Sequence, residues 1–367
     1  MPCASVRDLK TTPLFDRIYA AMLGGAIGDA MGGPVEGWPY PRIQETYGVV
    51  DRFLPYEAEP DYHNHFDLTP GSVTDDTRLK HLLARSLSSV SGEPRRGDWV
   101  CTLVAAYHQA DDPLTRGFLE EYARSGLYGD EYPAWGGRAT NGFLMANAPV
   151  GLIRPCDPEA AYQLSVRLDF ISGGYARISA AMGAAAVAAA LCPGADPDRV
   201  VTATLDVARS AHREGSLTRR WQWHDHVFGL NEQWVERAVA LAHEYQDVLA
   251  LRPAYYDALT LGPLGSEAAQ TLAVALGMLV AADGDVRRTI IGCVNYGRDN
   301  DSYAALGGAL AGAMHGTESI PTDWRETVES ANPEPDMATL SMGLAEVACA
   351  RLRLMERVVS ESQGLFC

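Results

Sequence analysis

No Cys-x-x-Cys pair occurs in this sequence, and its seven cysteines are scattered and odd in number (Cys3, Cys101, Cys156, Cys192, Cys293, Cys349, Cys367). That excludes a zinc ribbon and argues against a disulfide framework, so free or buried thiols in a reducing compartment are expected. Basic residues are outnumbered by acidic ones, 30 against 47, for a net charge of −17. Nucleic acid and anionic membranes are therefore not expected as partners, because phosphate binding relies on Lys and Arg. A small phosphate-bearing substrate stays possible where bound divalent cations supply local positive charge. The most apolar run, Ile178 to Cys192, is shorter than the ~20 residues a membrane span requires. The first twelve residues carry charge and lack an apolar core segment, so no secretory signal is expected and the cytoplasm is the default location.

Period-two alternation is scarce, and no GxGxxG, Walker A or GxSxG motif stands in a convincing context. Neither a Gly/Ser or Pro linker nor a low-complexity segment divides the chain. One domain over residues 13–359 is expected, with short tails at 1–12 and 360–367.

Helical periodicity is the signal that is present. Residues from Leu14 to Gly33 are mostly small or apolar, as in a central helix. Leu79, Leu82, Leu83 and Leu87 mark one apolar face of a second helix. Ile178–Leu191, Val235–Leu251, Glu267–Ala281, Ser302–His315 and Met342–Val358 also read as helices. The fold class expected is all-α, a compact multi-helix domain. Residues 50–73 and 126–142 read as folded loops.

Two glycine sets share one spacing: Gly24, Gly28 and Gly32, and Gly308, Gly312 and Gly316. Residues four apart lie on one helical face, so each set forms a smooth stripe. Glycine costs about 0.5–1 kcal/mol relative to alanine inside a helix. Three in register imply close approach of another backbone, either the other stripe or separate helices.

Acidic residues gather at two helix starts. Thr74-Asp75-Asp76-Thr77 precedes the Leu79 pattern, and Asp299-Asn300-Asp301-Ser302 opens the Ser302–His315 helix. Threonine and aspartate cap helices, and acids near an N-terminus are favoured by its exposed amides. A single cap suffices, however, and these clusters hold more hard oxygen donors than capping needs. Carboxylates and hydroxyls suit Mg²⁺ or Mn²⁺. Spacing alone leaves open whether the two clusters meet.

Several segments together resemble the ADP-ribosylglycohydrolase family, including its dinitrogenase reductase-activating members. These are Gly24-Gly25-Ala26-Ile27-Gly28-Asp29-Ala30-Met31-Gly32-Gly33-Pro34-Val35-Glu36, the Thr74–Thr77 quartet, and Val294 to Ser302 followed by the Gly308 stripe. Ile320-Pro321, Trp324 and, more weakly, Thr140-Asn141-Gly142 with Ala148-Pro149 fit the same pattern. The matches span residues 21 to 324 in the family's order.

The resemblance implies an all-α fold with a central cleft holding Mg²⁺ or Mn²⁺, two ions, on Thr74, Asp75, Asp76, Asp299, Asp301 and Ser302. Serine at 302 stands where threonine is usual and keeps the hydroxyl. It implies catalytic roles for Glu36, Asp76 and Asp299, with Glu36 positioning substrate or moving a proton, and Asp29 bracing the glycine-rich helix. The implied reaction is hydrolysis of an ADP-ribosyl or related ribosyl N-glycosidic bond, through an oxocarbenium-like state. The partner is an ADP-ribosylated protein or a nucleotide-like small molecule.

Asn141, Gly142, Tyr128, Trp135 and Arg298 are the candidate substrate-binding residues. Tyr128, Tyr132 and Trp135 either stack on a purine or pack locally. Arg298 meets a phosphate or forms a salt bridge. Leu168 to Tyr175 lacks the histidine many relatives carry, which bears on substrate choice. His63, His65 and the Trp221-to-His226 cluster are weak zinc candidates. Two rival functions are a non-catalytic ADP-ribose- and metal-binding protein of the same fold and a two-metal phosphoesterase.

Overall fold

The computed structural model describes residues 9–56, 69–111, 113–128, 140–214, 225–259 and 265–363. Among them are sixteen α-helices, and β-pairing is confined to two isolated bridges, Pro39 with Gly297 and Thr140 with Glu267. The all-α expectation holds.

Helix α1 (Pro13–Gly32) is capped by Thr12, whose Oγ1 accepts from the Phe15 amide at 3.2 Å, and Pro13 fits its first turn. Every residue from Ile18 to Gly32 is buried. A helix apolar all round belongs at the centre of a fold, and α1 runs there. In chain order follow α2 (Tyr40–Tyr47), α3 (Asp75–Ser89), α4 (Arg96–Gln109), α5 (Pro113–Tyr128), α6 (Ala148–Leu152), α7 (Pro158–Leu168) and α8 (Tyr175–Ala190). The second half comprises α9 (Pro197–Glu214), α10 (Asp225–Tyr245), α11 (Arg252–Ala258), α12 (Ala268–Ala281), α13 (Val286–Tyr296), α14 (Asn300–His315), α15 (Thr322–Ala331) and α16 (Met337–Ser362).

The two glycine stripes face each other. A Cβ on Gly24 would land on the carbonyl of Gly308, one on Gly28 on that of Ala304, and one on Gly312 on that of Ala20. A Cβ on Gly32 would lie 2.5 Å from Asp301 Cα. Rising residue numbers on α1 meet falling numbers on α14, so the helices are antiparallel and in direct backbone contact. This brings the C-terminal end of α1 beside the N-terminal end of α14, where Asp299 and Asp301 stand. Alanine-rich α8, buried from Ile178 to Ala190, and α12 pack around this pair. No helix of the described residues is long and apolar enough to cross a membrane.

One cysteine expectation changes. Cys101, Cys156, Cys192 and Cys293 are free, but Cys349 is disulfide-bonded.

Candidate active site

Three segments build the site. The first is the chain leaving α1. After Gly32 a single 3₁₀ turn, Gly33–Val35, leads to Glu36. The next residues pair with the loop before α14: the Gly37 amide donates to the Arg298 carbonyl at 2.5 Å, and the Arg298 amide to the Trp38 carbonyl at 2.6 Å. Gly297 permits this approach. Its φ is +80°, and a Cβ there would strike the Trp38 carbonyl. Arg298 itself adopts φ of 64°. This clamp sets Glu36 beside Asp299.

The second segment is the start of α3. Thr74 caps it, with Oγ1 accepting from the Asp76 amide at 3.4 Å. The buried Asp29 carboxylate, on α1, accepts from the Thr74 and Thr77 amides, both at 3.0 Å. Asp29 therefore braces the acidic helix start from behind. The third segment is the start of α14. Thr74 Oγ1 lies 3.4 Å from Asp301 Oδ2, joining the two helix starts. Ser302 hydrogen-bonds toward Asp76 and Asp299.

The clusters at Thr74–Thr77 and Asp299–Ser302 thus meet. Carboxylate oxygens of Glu36, Asp299 and Asp301 lie within 4.8 Å of one another. Glu36 Oε2, Asp76 Oδ1 and Asp301 Oδ1 are buried without a hydrogen-bond partner. Buried acceptors rarely stay unpaired in a native fold. Hard, orphaned oxygen donors converging at this range fit a divalent cation.

Electrostatics agree. Burial, then the charges of Asp299, Asp75 and Asp29, hold the Glu36 carboxyl well above the usual carboxylate range. Burial followed by neighbouring acids does the same to Asp76 and Asp301. Burial and the charge of Asp29 push Asp75 up to about 7. Burial carries Asp299 up to about 6, against hydrogen bonds from Asn141 and Ser302 that pull it down. Like charges crowded out of water cannot all ionise cheaply, and a cation relieves that cost.

The candidate substrate residues divide. Asn141 Nδ2 donates to Asp299 Oδ2 at 2.5 Å and to Thr271 Oγ1 at 2.9 Å, while its backbone amide bonds the Ser266 carbonyl. It steadies a site carboxylate. Gly142 is buried, with the Tyr122 hydroxyl 3.2 Å from where its Cβ would stand. Arg298 lies over the Tyr256 ring, 4.4 Å from its centroid, a cation–π contact with no signal in the sequence. Asn300 Nδ2 donates to the Val294 carbonyl at 2.8 Å, tying α14 to the end of α13. In the loop without histidine, Asp169 Oδ1 accepts from the Ile171 and Ser172 amides, both at 2.9 Å, and the Tyr175 hydroxyl donates to Glu267. The Tyr128 side chain, Tyr132, Trp135, His63, His65 and the 221–226 cluster side chains lie outside the described residues.

Residues 10–358 match the profile of the ADP-ribosylglycohydrolase family. The chain belongs to the ADP-ribosylglycohydrolase family. This ADP-ribosylglycohydrolase is accordingly an enzyme, from a family that hydrolyses ADP-ribosyl linkages. It is 25% identical to the uncharacterized protein YegU of Escherichia coli, over 86% of this chain and 93% of that protein. It is also 25% identical to the ADP-ribosyl-[dinitrogen reductase] glycohydrolase of Rhodospirillum rubrum, over 84% and 89%. A solved structure described as an ADP-ribosylglycohydrolase-related protein complex superposes with a TM-score of 0.62 at 25% identity, covering 91% of this glycohydrolase and 99% of that chain.

Proposed function

We propose that this glycohydrolase cleaves an ADP-ribosyl or related ribosyl N-glycosidic bond with the help of two divalent cations, Mg²⁺ or Mn²⁺. The bond is carried by a modified protein side chain, arginine being the foremost candidate, or by a small nucleotide-like molecule. The observation carrying this reading is the convergence of Glu36, Asp299 and Asp301 around orphaned carboxylate oxygens.

Thr74, Asp75 and Asp76 would hold the cations from one side, and Asp299, Asp301 and Ser302 from the other. When bound, such ions supply Lewis acidity toward ribose hydroxyls and a water. Glu36 sits at the edge of the cluster, half-buried, with a carboxyl raised by burial. A carboxyl raised in this way is suited to holding or passing on a proton. It takes the proton of the attacking water or holds a ribose hydroxyl in place. The remaining carboxylates lend negative charge to an oxocarbenium-like state at C1. Asn141 keeps the Asp299 carboxylate oriented.

The test is release of ADP-ribose from an ADP-ribosyl-arginine protein, with Mg²⁺, with Mn²⁺ and with chelator. Cation-dependent release supports the reading. Release unaffected by chelator would remove the cations from it. No release by a folded, cation-binding sample would exclude the arginine linkage and direct the search to small ribosyl substrates.

A further inference from the structure

Lys10 and Lys80 are the only two lysines in this arginine-rich chain. Lys80 stands one helical turn beyond Asp76 on α3 and is 1% exposed. Its Nζ is buried without a hydrogen-bond partner. It lodges where α3 crosses the α1–α14 pair: a Cβ on Gly25 would lie 2.7 Å from it and 3.0 Å from the Ala305 carbonyl. Gly25 is thus the vacancy in α1 that admits a long side chain into the core. Burial pulls the Lys80 ammonium below the usual lysine range, and the charges of Asp29 and Asp76, the acids facing it, oppose that shift.

A buried ammonium ordinarily needs a partner in hydrogen-bond contact. Here it has proximity to a carboxylate cluster instead, with Asp29 and Asp76 as the acids that reach it. Six carboxyl groups (Asp29, Glu36, Asp75, Asp76, Asp299, Asp301) crowd this region, and an ammonium beneath them would change what an incoming cation meets.

We propose that Lys80 is a resident cation of the site: it stabilises the carboxylates when divalent ions are absent and tempers the affinity with which those ions bind. This rests on the divalent-cation reading of the cluster. The compact, point-like charge of lysine suits the space that Gly25 leaves beside it.

Two consequences have opposite signs. Replacing Lys80 by a neutral side chain removes a repulsion felt by the metals, so they bind more tightly. It also removes an attraction felt by the empty cluster, so the chelated protein melts lower. A residue that merely fills space would move both together or neither.

Calorimetric titration with MnCl₂ and MgCl₂ in mildly alkaline buffer, on the wild type, Lys80→Met and Lys80→Gln, reads the first consequence. The expected result is a Kd lowered about tenfold or more in both variants, the scale of one charge acting through a semi-polar interior. Thermal melts in chelator read the second, with a lowered Tm expected that excess Mn²⁺ restores. Unchanged or weaker cation binding in the variants would overturn this inference alone. Absence of binding in the wild type would overturn the cation reading and this inference with it. If neither variant folds, ¹⁵N-lysine NMR on the Mg²⁺-loaded wild type decides. With two lysines in the chain, an ammonium signal for Lys80 supports the proposal and a neutral amine overturns it.

Discussion

Asn141 donates to the Asp299 carboxylate at 2.5 Å across 158 residues of chain. That bond favours the ionised form of Asp299 and opposes the burial that raises it to about 6. Asn141→Ala therefore moves Asp299 further upward. The midpoint of the pH dependence of Mn²⁺ affinity is expected to shift to higher pH, with cation binding near pH 6 weakened roughly ten- to a hundredfold by loss of one charge-assisted bond. Calorimetry across a pH series checks it, and an unmoved midpoint would count against this role.

Asp301 closes the cluster from α14, with one oxygen near Thr74 and the other unpaired. Asp301→Asn keeps the shape and removes the charge. Cation affinity and ADP-ribose release are expected to fall at least about a hundredfold, the upper end for losing an outer-shell partner. Circular dichroism should stay that of the wild type. Full activity in this variant would show the site to be misassigned.

The raised carboxyls predict an inverted pH–stability relation in chelator. Asp75 lies near 7 and Asp299 near 6 in the folded chain, against about 3.9 for unfolded aspartate. Between those limits the folded protein binds more protons than the unfolded one, so stability falls as pH rises from about 4 through about 7. Thermal melts in chelator should show Tm declining across that window. Saturating Mn²⁺ should flatten or reverse the slope, because the cation binds the ionised carboxylates. A Tm rising with pH in chelator would contradict the upward displacement of these two carboxyls.

Two glycines should respond oppositely to alanine. A Cβ at Gly28 would collide with the Ala304 backbone carbonyl, whereas one at Gly117, on α5, meets nothing within 4 Å. Gly28→Ala is expected to cost about 1–3 kcal/mol or more through forced separation of α1 and α14. Gly117→Ala should gain about 0.5–1 kcal/mol from helix propensity. Denaturant unfolding of both variants checks the pair of signs.

Much of the fold is legible in the residues alone. Apolar periodicity marks α1, α3, α8, α12 and α14, because each carries its burial pattern in its own residues. Acidic helix starts at Thr74 and Asp299 stand out as donor sets in excess of capping. In combination with the glycine-rich segment they point to the family that residues 10–358 match. The polar helices α4 and α5 escape the periodicity reading, since their burial is partial, whereas α9 carries a legible apolar face in Val200, Val201, Leu205, Ala208 and Ala211.

Sequence by itself determined that the fold is helical, where its most apolar helices run, and which side chains can bear negative charge, since these follow from residues a few positions apart. Tertiary structure decided which of them meet. Gly24 faces Gly308 because two helices lacking side chains on one face can approach backbone to backbone. Asp29 accepts from the amide of a helix cap 45 residues later, and Asn141 donates to Asp299 across 158 residues. Lys80 occupies the space Gly25 leaves. None of these pairings has a local signature, because each depends on shape matched between segments far apart in the chain.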